Sequence, residues 1–143
     1  MKRMSWIKPN FLWMMYRSNW GRTEGQEVVL AIRLKRSFFD EVLSLAVPSS
    51  IDNDLFKTPE EWKRAIRKSE MRLQWDPDHA PSGGKCIRRA IQLGLRGKLL
   101  EKYSREAIIE IINVTELVHQ YSPYARKPYE GLYTPMEQVY PGK

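Results

Sequence analysis

The chain has 143 residues, and its 24 lysines and arginines outnumber its 17 aspartates and glutamates by seven. This length fits one domain with a real core, and 42% hydrophobic with 29% charged residues excludes an intrinsically disordered chain. No apolar run approaches the ~20 residues that span a bilayer, and the basic start lacks the apolar core of a signal peptide. A lone cysteine excludes a disulfide framework. We therefore expect a cytoplasmic protein without membrane contact.

The first half of the chain predicts two strands followed by two helices. The apolar run Phe11–Tyr16 has strand-like length, although a short buried helix would look the same. The β-branched segment Glu27–Leu34 predicts a central strand. The segment Ser37–Pro48 opens on a serine N-cap and ends at a proline, and Thr58–Ser69 opens on a threonine N-cap followed by proline, so both predict helices.

The second half of the chain alternates strands with short helices. In chain order we predict a strand Met71–Trp75, a loop Asp76–Gly84, a strand Ala90–Leu95, a helix Lys98–Tyr103, a strand Ala107–Val114 and a helix Thr115–Gln120. Residues 122–143 form a largely irregular tail, with one last strand possible over Glu137–Tyr140. Because the regular repeat of a doubly wound sheet is missing, we predict an α+β fold: a single domain, residues 1–143, with a mixed or mainly antiparallel sheet and about four helices packed around it.

The positive charge is concentrated in two segments. Residues 1–36 hold eight bases and two acids, and residues 85–105 hold seven bases and one acid, so each segment carries a net charge of +6. If the fold brings the segments together, they predict a patch that attracts phosphates, with nucleic acid as the partner. A solvated surface that only keeps the protein soluble explains the same charge.

The run Gln74–His79 places two carboxylates and an imidazole within four positions. Asp76 and Asp78 are suited to a hard cation, with His79 as a ligand or general base. The Asp-Pro-Asp sequence is also common in turns, where aspartate side chains accept bonds from nearby backbone amides. Trp75 is expected to be a core residue more often than a base-stacking platform.

Aromatic and basic side chains alternate in the amino-terminal segment. They are Trp6, Lys8, Trp13, Tyr16, Arg17 and Trp20. This combination suits a nucleotide or single-stranded nucleic acid, because rings stack on bases and cations meet phosphates. A core strand flanked by surface bases is the alternative interpretation, with Trp13 in the core and Arg17 and Trp20 as the better functional candidates.

Five motifs resemble the domain-of-unknown-function family four-two-nine-one and together cover most of the chain. They are Trp6–Gly21, Gly25–Ile32, Leu73–His79, Arg89–Leu95 and Pro135–Pro141. The resemblance implies similarity to the ADP-ribosyltransferase superfamily, with NAD as cofactor and no metal. Family members usually carry an additional strand upstream of Trp-Ile-Lys-Pro that contributes to a dinucleotide cleft, and this sequence starts without it.

The resemblance also implies roles for individual residues. Glu137 would be the catalytic glutamate that orients the nicotinamide ribose, with His79 as a second catalytic group. The cofactor would be bound by Lys8, Tyr16, Arg17 and Trp20, with Arg17 on the pyrophosphate and Tyr16 or Trp20 on the nicotinamide. The substrate would be bound by Gln74, Trp75, Asp76, Asp78 and Arg89.

The resulting prediction is an ADP-ribosyltransferase-like, NAD-binding protein that acts on or near nucleic acid. One alternative is a non-catalytic basic nucleic-acid-binding module that uses residues 1–36 and 85–105. The other is a metal-dependent hydrolase built on Asp76, Asp78 and His79. A cleft that joins Glu137, Arg17 and the Gln74–His79 run favours catalysis, whereas a continuous basic face favours the binding module.

Overall fold

A long antiparallel hairpin forms the centre of the computed structural model, which describes residues 3–141. The strands are β1 (Ser5–Ile7), β2 (Leu30–Leu34), β3 (Val47–Pro48), β4 (Met71–His79), β5 (Lys85–Leu95) and β6 (Ile108–Asn113). The helices are α1 (Phe11–Arg17), α2 (Arg36–Leu45), α3 (Pro59–Lys68), α4 (Gly97–Lys102) and α5 (Thr115–Tyr121), with a π-helical turn at Tyr103–Ala107 and a 3-10 turn at Ser122–Tyr124. None of the helices within residues 3–141 has the length and apolar character to cross a membrane.

The six strands form two sheets. The larger sheet has the order β1-β5-β4-β3, in which β3 runs parallel to β4 and the other pairs are antiparallel. The smaller sheet pairs β2 with β6 antiparallel. The prediction of an α+β fold with a mixed sheet is therefore confirmed.

The described residues contain two apolar clusters. The first cluster packs α2 and α4 against the larger sheet and is built from Phe38, Val42, Leu93, Leu95, Leu99 and Ala107. The second cluster joins α1, the loop that follows it and α5, and is built from Met15, Trp20, Val29 and Val118. The aromatic amino-terminal segment therefore contributes to the second core.

The apolar run Phe11–Tyr16 is a helix, so the prediction of a strand is wrong. The amide of Met14 donates to the carbonyl of Asn10 at 3.1 Å, which starts α1 after Pro9. Trp13 and Met15 are buried, while the residues around them are more open. A six-residue apolar run carries no periodicity that separates a buried helix from a strand, so tertiary packing decided the outcome.

The predicted loop Asp76–Gly84 is also mostly wrong, because β4 continues through His79 and β5 begins at Lys85. Pro77 pairs with Arg89, and the register shifts between Pro77 and His79. Proline is tolerated in a strand at such a bulge. The connection between the strands is therefore only five residues long, and the Asp-Pro-Asp sequence is held in the sheet.

Three further local predictions concern Ser37, Thr58 and the tail. Ser37 is not an N-cap, since α2 begins at Arg36 and its cap residue Lys35 makes no side-chain bond. Thr58 does cap α3, and its hydroxyl accepts a bond from the Glu61 amide at 3.2 Å. The tail forms no strand over Glu137–Tyr140. Its side chains anchor it instead, since Glu137 accepts a bond from the Phe11 amide and the Tyr140 hydroxyl donates to Asp40.

Candidate functional site

A buried carboxylate organises the end of β4. Asp78 is 2% exposed, and its Oδ2 accepts bonds at 2.9 Å from both Nε and one terminal nitrogen of Arg88. The Asn10 side-chain amide donates to the same oxygen at 3.4 Å, and the His79 amide donates to Oδ1 at 2.8 Å. A carboxylate with this many donors is satisfied, so its burial carries little penalty and it locks one edge of the Arg88 guanidinium.

His79 and Tyr16 lie against each other at the hairpin turn. Their ring centroids are 5.3 Å apart, and the Tyr16 hydroxyl donates to the carbonyl of Pro81. His79 Nδ1 is 2.9 Å from the Gly83 carbonyl oxygen, which only accepts, so in the neutral ring the proton is assigned to Nδ1 and Nε2 is the acceptor. Gly83 has a φ of +83°, and a Cβ there would sit 3.0 Å from the Tyr16 ring, so the close approach depends on glycine. Burial raises the pKa of the Tyr16 hydroxyl.

Glu137 lies at the start of α1. Its Oε1 accepts a bond of 2.7 Å from the amide of Phe11, across 126 positions of sequence. The hydrogen bond from Arg88 to Asp78, together with the charge of Asp78 and more weakly that of Glu137, raises the pKa of Arg88. The tail therefore returns to α1 and places an exposed carboxylate at the start of that helix.

Asp76 belongs to a separate network on the same strand. The side-chain amides of Gln74 and Gln92 both donate to its carboxylate, Gln74 at 3.3 Å to Oδ1. Gln74 and Gln92 are directly opposite each other in the β4–β5 pairing, which explains why their amides reach one acceptor.

An open cavity of about 520 Å³ lies on the other face of β4. Its lining includes Leu73, Trp75 and Pro77, which alternate with Gln74 and Asp76 along the strand, and successive side chains of a strand point to opposite faces. The remaining lining residues are Pro48, Ser49, Ser50, Gln74, Asp76, Cys86, Ile87 and Arg89. Trp75 is 49% exposed, so the expectation that it belongs to the core is not met.

Three of the predicted cofactor-binding residues have other surroundings. Trp20 is 4% exposed and packs edge-on against Phe11 and Tyr16, so its ring offers almost no surface to a ligand. The Lys8 ammonium is 5.4 Å from the centroid of the Trp13 ring, and burial together with the charge of Arg17 lowers the pKa of Lys8. Arg17 is exposed at the end of α1.

The structure therefore divides the predicted site residues between the two faces of the hairpin. Asp78, His79, Tyr16 and Glu137 lie at the α1 side. Gln74, Trp75, Asp76 and Arg89 line the cavity, and Arg89 points away from Arg88 because the two are consecutive on β5. No single cleft joins all of them.

Three residues of these networks were not among the predicted site residues. Asn10 and Arg88 hold Asp78, and Gln92 holds Asp76. Arg88 could have been found from the hairpin itself, since extending β4 through the Asp-Pro-Asp run places it beside the acids. Asn10 had no such signal, because its partner is 68 residues away.

The acidic residues of the Gln74–His79 run do not form a metal site in this arrangement. Within residues 3–141 there is no group of three or more His, Cys, Asp or Glu side chains placed to hold a metal ion. Asp76 is bonded by amides and Asp78 by a guanidinium, both of which compete with a cation for the carboxylate oxygens.

Comparison with known proteins identifies one family. No curated protein and no solved structure matches the chain. The family model described as Domain of unknown function (DUF4291) matches residues 1–140, which is nearly the whole sequence. The chain therefore belongs to the DUF4291 family.

Proposed function

We propose that this protein binds a nucleotide, with NAD as the first candidate, in the cavity that contains Trp75. The observation that carries the proposal is a half-exposed indole beside an exposed arginine within a cavity of about 520 Å³. Ligand pockets typically measure about 300–1,000 Å³, so this cavity has room for a nucleotide.

The lining supplies the two kinds of contact that a nucleotide needs. The face of Trp75 can stack on a base, an interaction that is worth about 1–3 kcal/mol. Arg89 offers a guanidinium for phosphate oxygens, and Ser49 and Ser50 add hydroxyl groups for ribose or phosphate. No carboxylate forms an ion pair with Arg89 among the described residues, so its charge is available to a ligand.

Calorimetric titration with NAD, ADP-ribose and AMP tests the proposal. Trp75→Ala removes the stacking surface, and we expect the Kd to rise about tenfold or more, which corresponds to at least about 1.4 kcal/mol. Arg89→Gln should weaken the phosphate-bearing ligands in the same way. Leu55→Ala and Arg105→Gln are matched controls, because they truncate an exposed apolar residue and an exposed arginine that do not line the cavity.

Two outcomes would contradict the proposal. One is the absence of measurable binding to any of the three ligands. The other is binding that Trp75→Ala and the control variants weaken equally, since this would place the ligand elsewhere.

ADP-ribosyl transfer is a second candidate, supported by the placement of Glu137. Its exposed carboxylate accepts a bond from the Phe11 amide at the start of α1, and the neighbouring residue Asn10 binds Asp78. Transfer requires a carboxylate that stabilises the positive charge developing on the ribose. Transfer by Glu137 therefore requires NAD to bind on the α1 face of the hairpin, opposite the Trp75 cavity.

Incubation with labelled NAD separates transfer from simple binding. If Glu137 is catalytic, Glu137→Gln should abolish release of nicotinamide and labelling of protein, RNA or DNA, while NAD binding persists. Binding without turnover in the unaltered protein would leave the binding function and exclude the transferase under those conditions.

A further inference from the structure

One base of the first basic segment lies near two bases of the second at one end of the larger sheet. Strand β1 pairs with the end of β5, so Ser5 is opposite Leu95 and Trp6 is opposite Gly94. Arg3 precedes Ser5 by two residues and therefore stands beside the junction of β5 and α4, which carries Arg96 and Lys98. Of the other described bases of residues 1–36, Arg17 lies on α1, Arg33 on β2 and Arg36 on α2, whereas Lys8, Arg22 and Lys35 lie between elements.

A third group of cations joins them from a segment that is acidic in the sequence. The guanidinium of Arg96 donates to the carbonyls of Ser69 at 3.0 Å and Arg67 at 2.7 Å, which fastens the last turn of α3 to the end of β5. The result is a basic face, which we define as Arg3, Arg64, Arg67, Lys68, Arg96 and Lys98.

No side chain of this basic face forms a close ion pair with a carboxylate of the described residues. Among residues 3–141 the ion pairs with carboxylates involve Arg33, Arg88 and Lys102, none of which belongs to it. Glu60 and Glu61 on α3 and Glu101 on α4 are one helical turn from Arg64 and Lys98, and Glu70 lies within the basic face. Its two carboxylate oxygens accept bonds of 3.1 Å from the amides of Lys98 and Leu99, so it is committed to the start of α4.

The basic face also contains no exposed large apolar residue. The exposed large hydrophobic side chains all lie outside β1, α3, the end of β5 and α4. Membrane-surface binding combines cations with inserted aromatic or aliphatic side chains, and protein interfaces depend on buried apolar or aromatic anchors. A surface of cations alone fits a partner whose recognition is mainly electrostatic, as for the phosphate backbone of nucleic acid.

We propose that the basic face binds the phosphate backbone of a nucleic acid. The contact is with phosphates, so it is expected to depend weakly on base sequence and strongly on salt. It is separate from the proposed nucleotide cavity, which lies toward the opposite end of β4 and β5, and the two proposals fail independently.

Fluorescence anisotropy with a labelled single-stranded RNA and a labelled DNA duplex, measured over a range of salt concentrations, tests this proposal. The test variant combines Arg67→Gln, Lys68→Gln and Lys98→Gln. Arg96 is kept because it bonds to α3 carbonyls, and its loss would disturb the fold. A control variant with the same change in net charge combines Arg22→Gln, Lys35→Gln and Arg126→Gln, which are exposed residues outside the basic face.

We expect the test variant to lose at least about tenfold in affinity at low salt, and the slope of log K against log salt to become shallower by about 2, since each phosphate contact contributes about 0.7–0.9. The control variant should keep the slope of the unaltered protein. Equal losses in both variants would overturn the proposal, because net charge alone would then explain the binding. Absence of binding to both nucleic acids, or binding confined to phosphatidylserine vesicles, would overturn it as well.

Discussion

Gly97 is the first residue of α4 and lies against Glu70, which follows α3. The structure therefore indicates how much stability its replacement by alanine should cost. Its φ is +59°, a left-handed conformation that costs an L-residue roughly 1–2 kcal/mol. A Cβ at this position would also overlap the Glu70 carboxylate. Because Glu70 must then move, the amides of Lys98 and Leu99 lose their acceptor, which costs about 1–2 kcal/mol, the range for loss of a helix cap.

The two terms together predict that Gly97→Ala lowers the free energy of unfolding by about 2–4 kcal/mol. Urea denaturation followed by circular dichroism measures this change, and the melting temperature should fall by about 10 °C for a chain of this size. The same variant frees a negative charge within the basic face, so nucleic-acid binding should weaken in parallel.

A double-mutant cycle with Glu70→Ala tests the reasoning. In the Glu70→Ala background the overlap is gone, so Gly97→Ala should cost only its backbone conformation, and the two changes should be non-additive by about 1–2 kcal/mol. Strictly additive changes, or a loss below about 0.5 kcal/mol for Gly97→Ala alone, would refute the proposed coupling between Gly97 and Glu70.

Four other substitutions test the remaining structural claims by the same denaturation assay. Asp78→Ala should cost about 2–3 kcal/mol, because the amides of Asn10 and His79 lose their acceptor. Arg88→Ala should cost about 3 kcal/mol, because it leaves the buried Asp78 carboxylate without its cation, and a loss below about 1 kcal/mol would contradict this argument. Burial raises the pKa of Tyr103, so the folded state keeps a proton that the unfolded chain loses; stability is full below the ordinary tyrosine pKa and declines as pH rises through the folded value. Tyr103→Phe should remove that alkaline decline, and an unchanged pH profile would argue against it. Glu137→Gln should cost only about 0.5 kcal/mol, through its weaker bond to the Phe11 amide, and a much larger loss would make Glu137 a structural residue first.

Some elements were predictable because their signals are local. Thr58, Pro59 and Glu61 mark the start of α3 through a cap that needs only four residues, and the structure contains that cap. The β-branched segments that became β2 and β6 were recognised from composition alone. The mixed sheet followed from the interspersed order of strands and helices.

Other elements depended on partners that are distant in sequence. Phe11–Tyr16 became a helix that packs in the second apolar cluster. The Asp-Pro-Asp run became part of a strand, in which Asn10 and Arg88 bind Asp78 across 68 and 10 positions. Trp75 was predicted to be buried, yet the helices that cover Leu73 and Ile91 do not extend over it. Periodicity describes which side of an element is apolar and contains no information about where its covering layer ends.

The net charge of +7 and its concentration in two segments can be read directly from the order of the residues. The family resemblance was also visible in the sequence, and the family match over residues 1–140 confirms it. Only the tertiary structure decided which charges share a surface, because β1 pairs with the end of β5 and Arg96 bonds to the last turn of α3. The physical reason is that charge and composition are sums along the chain, whereas a binding surface depends on distances that strand pairing and long-range hydrogen bonds set.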